Sequence, residues 1–274
     1  GENGWVYVYY TRSGTAAAGA ADNRVVRFTA AGDVAAGAET LILGLPVSSA
    51  TNHNGGNIRF GPDGKLYVTI GELNEPLAAQ DTARLQGKIL RYNDDGSVPD
   101  DGPFGAASPV FALGLRNSFD FAFDPVSGDI LATENGPASS DELNLIEPGG
   151  NYGWPLVNGL ADGAAGDPAG EKAFAVATPS YHEPLVDITP VTVPTGVDFA
   201  PDALFGESRR GDPFYGEYST GRVWHVELND SRDAIESQTK FVTGVPAGIT
   251  DVAFAPDGSM YILASNAIYR VTPE

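Results

Sequence analysis

Apolar and polar positions alternate along this chain in short runs, and the runs recur. The segments 57–69 (NIRFGPDGKLYVT), 121–133 (FAFDPVSGDILAT), 197–205 (VDFAPDALF) and 252–263 (VAFAPDGSMYIL) each set an alternating stretch before a turn that contains proline. Three of them resume with a second alternating stretch, the pattern of a β-hairpin. Proline presets φ, and Asp and Gly accept turn conformations, so the PDG core sits where the chain must reverse. The turn prolines Pro62, Pro125, Pro201 and Pro256 lie roughly 55 to 76 residues apart, which leaves room for two more strands and a loop in each unit. Those strands are visible at 88–94 and 109–115 after the first hairpin, and at 221–228 and 239–245 after the third.

Four-stranded units repeated along a chain with few helical patterns predict an all-β propeller. A single large sandwich competes, but its strands would be evenly spaced and would not reset at each PDG. The last unit ends on NAIYRVTP, a third strand with no fourth after it. The first unit reads as strands two, three and four, at 5–11, 23–29 and 39–45, without the inner strand. Residues 1–274 are therefore expected to form a single propeller domain, N-terminally incomplete, that a lost segment or a second chain completes.

Composition narrows the partners. The 274 residues carry 36 acidic and 16 basic side chains, a net charge of -20, and no cysteine. No disulfide or cysteine-based zinc site is available, and no basic stripe offsets phosphate repulsion, so no nucleic-acid partner is expected. No run of about 18 apolar residues predicts a membrane span. The start, GENGWVYVYY, lacks the basic and apolar regions of a signal peptide. Absence of cysteine agrees with an extracellular or periplasmic location. The acidic surface keeps the chain soluble, suits salty surroundings, and would welcome Ca²⁺.

At NHNGGNIRFGPDGKLYVTIGE the residues resemble the quinoprotein glucose/sorbosone (aldose sugar) dehydrogenases. The likeness continues through AQDTARLQGKILRYNDDGSVPDD and GLRNSFDFAFDPVSGDILATENGPASSDELNLIEPGGNYGWP, and more weakly beyond. The resemblance implies a six-bladed propeller, with the first blade and part of the second missing from this chain. It also implies pyrroloquinoline quinone (PQQ) and Ca²⁺ at the tunnel mouth, and oxidation of an aldose to its lactone at the anomeric carbon.

Residue by residue, His53 matches the catalytic base, a role that imidazole suits near neutral pH. Glu72 stands where the family usually has the Asp that orients it. Arg116 and Asn117 match the pair contacting the quinone, the guanidinium stabilising charge on its carbonyl oxygen. Gly136 and Pro137 match carbonyl donors to the cofactor's Ca²⁺, and Asn135 takes a position usually Gln or His. Glu142, with the carbonyl of Tyr152, resembles a second, structural Ca²⁺ site.

Departures accompany these matches. Ser219 occupies a position usually Lys, Gly248 and Thr250 replace two cations, and Thr189 replaces an aromatic. Arg222 and Arg210 are the available substitutes. Two readings of different class follow: a PQQ- and Ca²⁺-dependent sugar dehydrogenase, and a non-catalytic extracellular binding or structural module on the same scaffold. A Ca²⁺-dependent lactonase is a third, weaker one.

Overall fold

The computed structural model describes residues 3–14, 21–48, 52–162, 167–201, 204–246 and 248–272. Eighteen strands in these residues form five antiparallel sheets in chain order. The first holds β1 (Trp5–Arg12), β2 (Asp22–Ala31) and β3 (Val34–Leu45). The second holds β4 (Ile58–Phe60), β5 (Leu66–Ile70), β6 (Lys88–Tyr92) and β7 (Val110–Leu113). The third holds β8 (Ser118–Phe123), β9 (Ile130–Glu134), β10 (Asp141–Ile146) and β11 (Val186–Ile188). The fourth holds β12 (Pro194–Phe199), β13 (Pro213–Glu217), β14 (Arg222–Leu228) and β15 (Ile235–Val242). The fifth holds β16 (Ile249–Phe254), β17 (Met260–Ala264) and β18 (Ala267–Val271).

The propeller reading stands, with one correction: the described residues make five blades of three or four strands, not six. The physical reason lies in the repeat itself. Each prolyl hairpin opens one blade, and there are four such hairpins; the three N-terminal strands form the fifth unit. The expectation of a second chain completing the ring gains no support. The last strand of the fourth blade also begins earlier than the pattern suggested, at Ile235. In the third hairpin, Asp202 and Ala203 lie outside the described residues. A ten-residue helix, α1 (Pro168–Ala177), interrupts the long connection from β10 to β11, opened by Asp167 accepting from Gly170 and by Pro at the first position.

Alternation along each strand is divided between two neighbours. In β5, Leu66, Val68 and Ile70 pack toward the first blade while Tyr67 packs toward the third. In β9, Ile130 and Ala132 face the second blade and Leu131 the fourth; in β13, Tyr215 faces the third and Phe214 the fifth. Four apolar cores thus lie between five blades, each fully buried side chain contributing about 1.5–3 kcal/mol. The two end sheets use one face only, leaving Val6, Val8, Leu41, Leu263 and Ile268 exposed.

At the tunnel the blades are joined by polar contacts. Asp120, fully buried on β8, accepts from its neighbour Phe121 (2.7 Å), from Val197 on β12 (2.8 Å), and from the side chains of Asn57 and Arg59 in the second blade. Asp198 on β12 repeats the device, accepting from Phe199 (3.0 Å) and from Phe254 on β16 (2.8 Å). Thr133 donates to the carbonyl of Thr195 (2.7 Å), and Thr195 to that of Ile249 (2.9 Å). Replacing Asp120 by Ala takes the acceptor from three donors and leaves the Arg59 guanidinium with only the Val197 carbonyl, and is expected to cost about 3–5 kcal/mol. Thermal unfolding should fall by roughly 10 °C; a loss under about 1 kcal/mol would contradict this role.

Candidate functional site

Loops at one end of the tunnel bring most of the residues singled out above together. His53 lies in the left-handed region (φ 56°) within a loop leading to β4. Its Nδ1 is hydrogen-bonded with Glu72 Oε1. Glu72 follows Gly71 at the end of β5, and a Cβ at position 71 would collide with the carbonyl oxygen of His53, so that glycine allows the approach. The longer arm of Glu, compared with the usual Asp, still reaches the imidazole. The other carboxylate oxygen of Glu72 is buried with no protein partner.

Arg116 and Asn117 occupy the turn entering β8, and the backbone N–H of Glu72 donates to the Arg116 carbonyl (2.8 Å), locking the two loops together. The Arg116 guanidinium donates to the carbonyls of Asn135 (2.7 Å) and Gly136 (3.2 Å) and lies 5.4 Å from the centre of the Trp154 ring. Beneath the turn, the buried carboxylate of Glu134 accepts from the backbone of Arg116 (3.1 Å) and Asn117 and from the Ser118 hydroxyl (2.6 Å). Asn135 donates to the Pro194 carbonyl (2.8 Å). Asp141 accepts from the N–H groups of Gly136 (2.9 Å), Thr192 (2.6 Å) and Val193 (2.8 Å). Glu134 and Asp141 both lie within the ENGPASSDELN tract, but only Asn135, Gly136, Pro137 and Glu142 of that tract were among the residues singled out above.

Glu142 accepts from Gly159 N (2.8 Å) and Asn144 (2.8 Å). With it, Glu134, Asn135, Gly136, Ser140, Tyr152 and Trp154 help line a small cavity of about 10 Å³, on the order of one water or ion. The Ser140 hydroxyl is buried there without a protein partner, as is Asn144 Oδ1 nearby. The Tyr152 hydroxyl is occupied elsewhere, on the Leu145 carbonyl (2.6 Å), and its ring stacks on His182. His225, midway along β14, pairs with Asp212 (2.7 Å) just before β13, away from the site.

The departures are also placed. Ser219 is exposed, its N–H on the Thr192 carbonyl (3.1 Å), and Thr250 donates to the Leu263 carbonyl (3.2 Å). A Cβ at Gly248 would collide with the Tyr218 ring, so that ring lies where the usual cation would start. Thr189 holds the loop instead, accepting from Ser140 N (3.0 Å) and donating to Asp187 (2.9 Å). Arg210 lies in the β12–β13 connection at the far end of the blade; Arg222 begins β14 on the site's side.

One guanidinium therefore faces the carboxylates of Glu72, Glu134 and Asp141, with Glu142 beyond them. Burial lowers the pKa of Arg116, opposed by those first three charges. Burial pushes Glu134 up to about 7 against its three donors, and pushes Glu142 up to about 8 with help from the charge of Glu134. Asp141 is raised for the same first cause. An acidic, partly desolvated pocket with orphaned oxygens suits a hard cation. It suits one anionic group at Arg116, and no more than that without a cation.

Glu134 and Glu142 are raised in the folded state above their unfolded values, so the folded protein binds more protons. Their stabilising contribution is complete below the ordinary carboxylate range and is lost as pH rises through about 7 to 8. Without divalent cations, the melting temperature is expected to fall between pH 5 and pH 9, and less steeply in Glu142→Gln. A flat or rising profile in scanning calorimetry would contradict the assignment.

A family model described as glucose/sorbosone dehydrogenase matches residues 1–271. Aldose sugar dehydrogenase YliI of Escherichia coli is 30% identical over 242 residues, 85% of this chain and 64% of that protein. An uncharacterized Synechocystis protein is 34% identical over 229 residues, 77% of this chain and 53% of that one. The chain thus spans between half and two thirds of the length of these relatives. A solved structure, the PQQ-bound form of an aldose sugar dehydrogenase from Streptomyces coelicolor, superposes with a TM-score of 0.77 at 28% identity, over 96% of this chain and 70% of that one. With a family match running from the first strand to the last, and a blade arrangement shared with a solved relative, this chain belongs to the glucose/sorbosone dehydrogenase family.

Proposed function

We propose that the chain carries the active site of a sugar dehydrogenase that oxidises the anomeric carbon of aldoses with PQQ and Ca²⁺, outside the reducing cytosol. The observation that carries this reading is the His53–Glu72 pair held directly against the Arg116 turn. His53 Nε2 takes the proton of the anomeric hydroxyl, and Glu72 Oε1 fixes the ring and stabilises the imidazolium that results. Arg116 and Asn117 hold the electron acceptor's anionic edge, the guanidinium being set over Trp154 and against the Asn135 carbonyl. When bound, the quinone supplies the two-electron oxidant and its Ca²⁺ the Lewis acidity. Of the two metal positions, the one at Glu142 and the Tyr152 carbonyl fits better, because Ser140 and Asn144 offer unpartnered oxygens nearby. At the other, the Gly136 carbonyl already accepts from Arg116, so a cation on Gly136 and Pro137 must share it.

In protein incubated with PQQ and Ca²⁺, dye reduction by an aldose panel is the direct assay. His53→Gln is expected to lower kcat by about 10²–10⁴-fold with an unchanged fold. Glu142→Gln is expected to weaken Ca²⁺ binding at least about 10-fold, and wild-type affinity should rise from pH 6 to pH 9 as the Glu142 proton leaves. The non-catalytic binding module is favoured by the lost cations at 219, 248 and 250. Absence of sugar-dependent reduction in loaded protein would decide for it.

A further inference from the structure

Lys88 opens β6, and its side chain is completely buried. Its ammonium carries three N–H donors and meets three backbone carbonyls, those of Ala78 (2.8 Å), Ala79 (2.9 Å) and Gln86 (2.7 Å). Two of these belong to the short 3₁₀ helix Pro76–Gln80, inside the loop that starts at Glu72. No carboxylate forms an ion pair with it among the described residues. A buried ammonium is costly, and a methionine of similar length would avoid that cost but would take the ammonium's donors from three buried carbonyls, so the lysine is there for the carbonyls it holds.

The carbonyls it holds lead to the site by three routes. Ala79 O also accepts from Gly114 N (2.9 Å), two residues before Arg116. Gln80, at the end of the same helix, donates to the Trp154 carbonyl (2.7 Å) and exchanges amide hydrogen bonds with Asn151 (3.0 and 2.8 Å). Glu72 N donates to the Arg116 carbonyl at the loop's first residue, and Gly87 N closes its end on Gly71 O (3.0 Å). One cation thus sits where the His53–Glu72 loop, the Arg116 turn and the Tyr152–Trp154 segment converge.

We propose that Lys88 is a positioning residue, whose buried ammonium gathers the carbonyls of the Glu72 loop and so sets the distance between the His53–Glu72 pair and the Arg116–Trp154 platform. What the positioned groups do rests on the sugar-oxidation reading; the coupling between them does not. Burial lowers the pKa of Lys88 to about 7, opposed by the charge of Asp81, and only the protonated form satisfies all three carbonyls.

The test uses Lys88→Met in the apo protein. The indole N–H resonance of Trp154 is expected to shift, while those of Trp5 and Trp224 stay in place. Hydrogen exchange of the Glu72, Gly114 and Trp154 amides should accelerate about 10-fold or more, with Tyr215 and Val226 in the fourth blade unchanged. Lys88→Gln, which keeps two donors, should fall between wild type and Lys88→Met. Where loaded enzyme oxidises an aldose, Lys88→Met should lower kcat about 10-fold or more with KM within about threefold. An unmoved Trp154 resonance with unchanged exchange in a folded variant would overturn the proposal. Failure of both variants to fold would overturn it too, since the role would then belong to the whole fold. A wild type without sugar oxidation would count against the catalytic reading alone, because the resonance and exchange data need no cofactor.

Discussion

A blade that turns its first strand toward a tunnel leaves the N–H groups of that edge without a sheet partner, and buried backbone donors must find acceptors. In this chain aspartates supply them. Asp120 accepts from its own strand and from β12, and Asp198 accepts from its own strand and from β16, so each carboxylate satisfies two edges at once. Asp251 on β16 accepts from Val252 (2.8 Å). Arg59, reaching across from the second blade, feels all three charges and donates to the Val197 carbonyl (3.2 Å). The apolar cores hold neighbouring blades face to face, and this collar fixes their angle at the axis. The loops that carry the site leave from the ends of the same strands.

The same economy of buried acids reappears at the tunnel mouth. Glu134 organises the Arg116–Asn117–Ser118 turn, Asp141 organises the turn from Thr192 to Val193, and Glu72 organises His53. Each does so by accepting hydrogen bonds, which leaves negative charge in a partly dry pocket with a single guanidinium. The proposed Ca²⁺ would be drawn by the same charges that hold the loops, and on that reading an anion would depend on it.

The hairpins and their prolyl turns were legible because turn chemistry is local, and so were the three-stranded first and last sheets. Blade number was not, because the resemblance implies six blades while the described residues hold four prolyl hairpins and one N-terminal sheet. His53, Glu72, Arg116, Asn135 and Glu142 were found through sequence strings and do come together. Lys88 escaped notice because one charged residue at the start of an apolar strand usually reads as a solvated end. The aspartate collar had a visible signal, the recurrence of Asp before an aromatic or Val and then Ala in FDFAF, VDFAP and TDVAF. Its meaning required the register between blades, which no single hairpin contains.

On the proposed reading, this acidic site would accept an anionic quinone through a bound cation, with Arg116 and Asn117 against its anionic edge. Calorimetric titration of PQQ into the protein, with and without Ca²⁺, tests it most directly. The account requires saturable binding with Ca²⁺, at least about 100-fold weaker without it, and lost in Arg116→Gln. Equal binding in the presence of a chelator, or none in either condition, would contradict it.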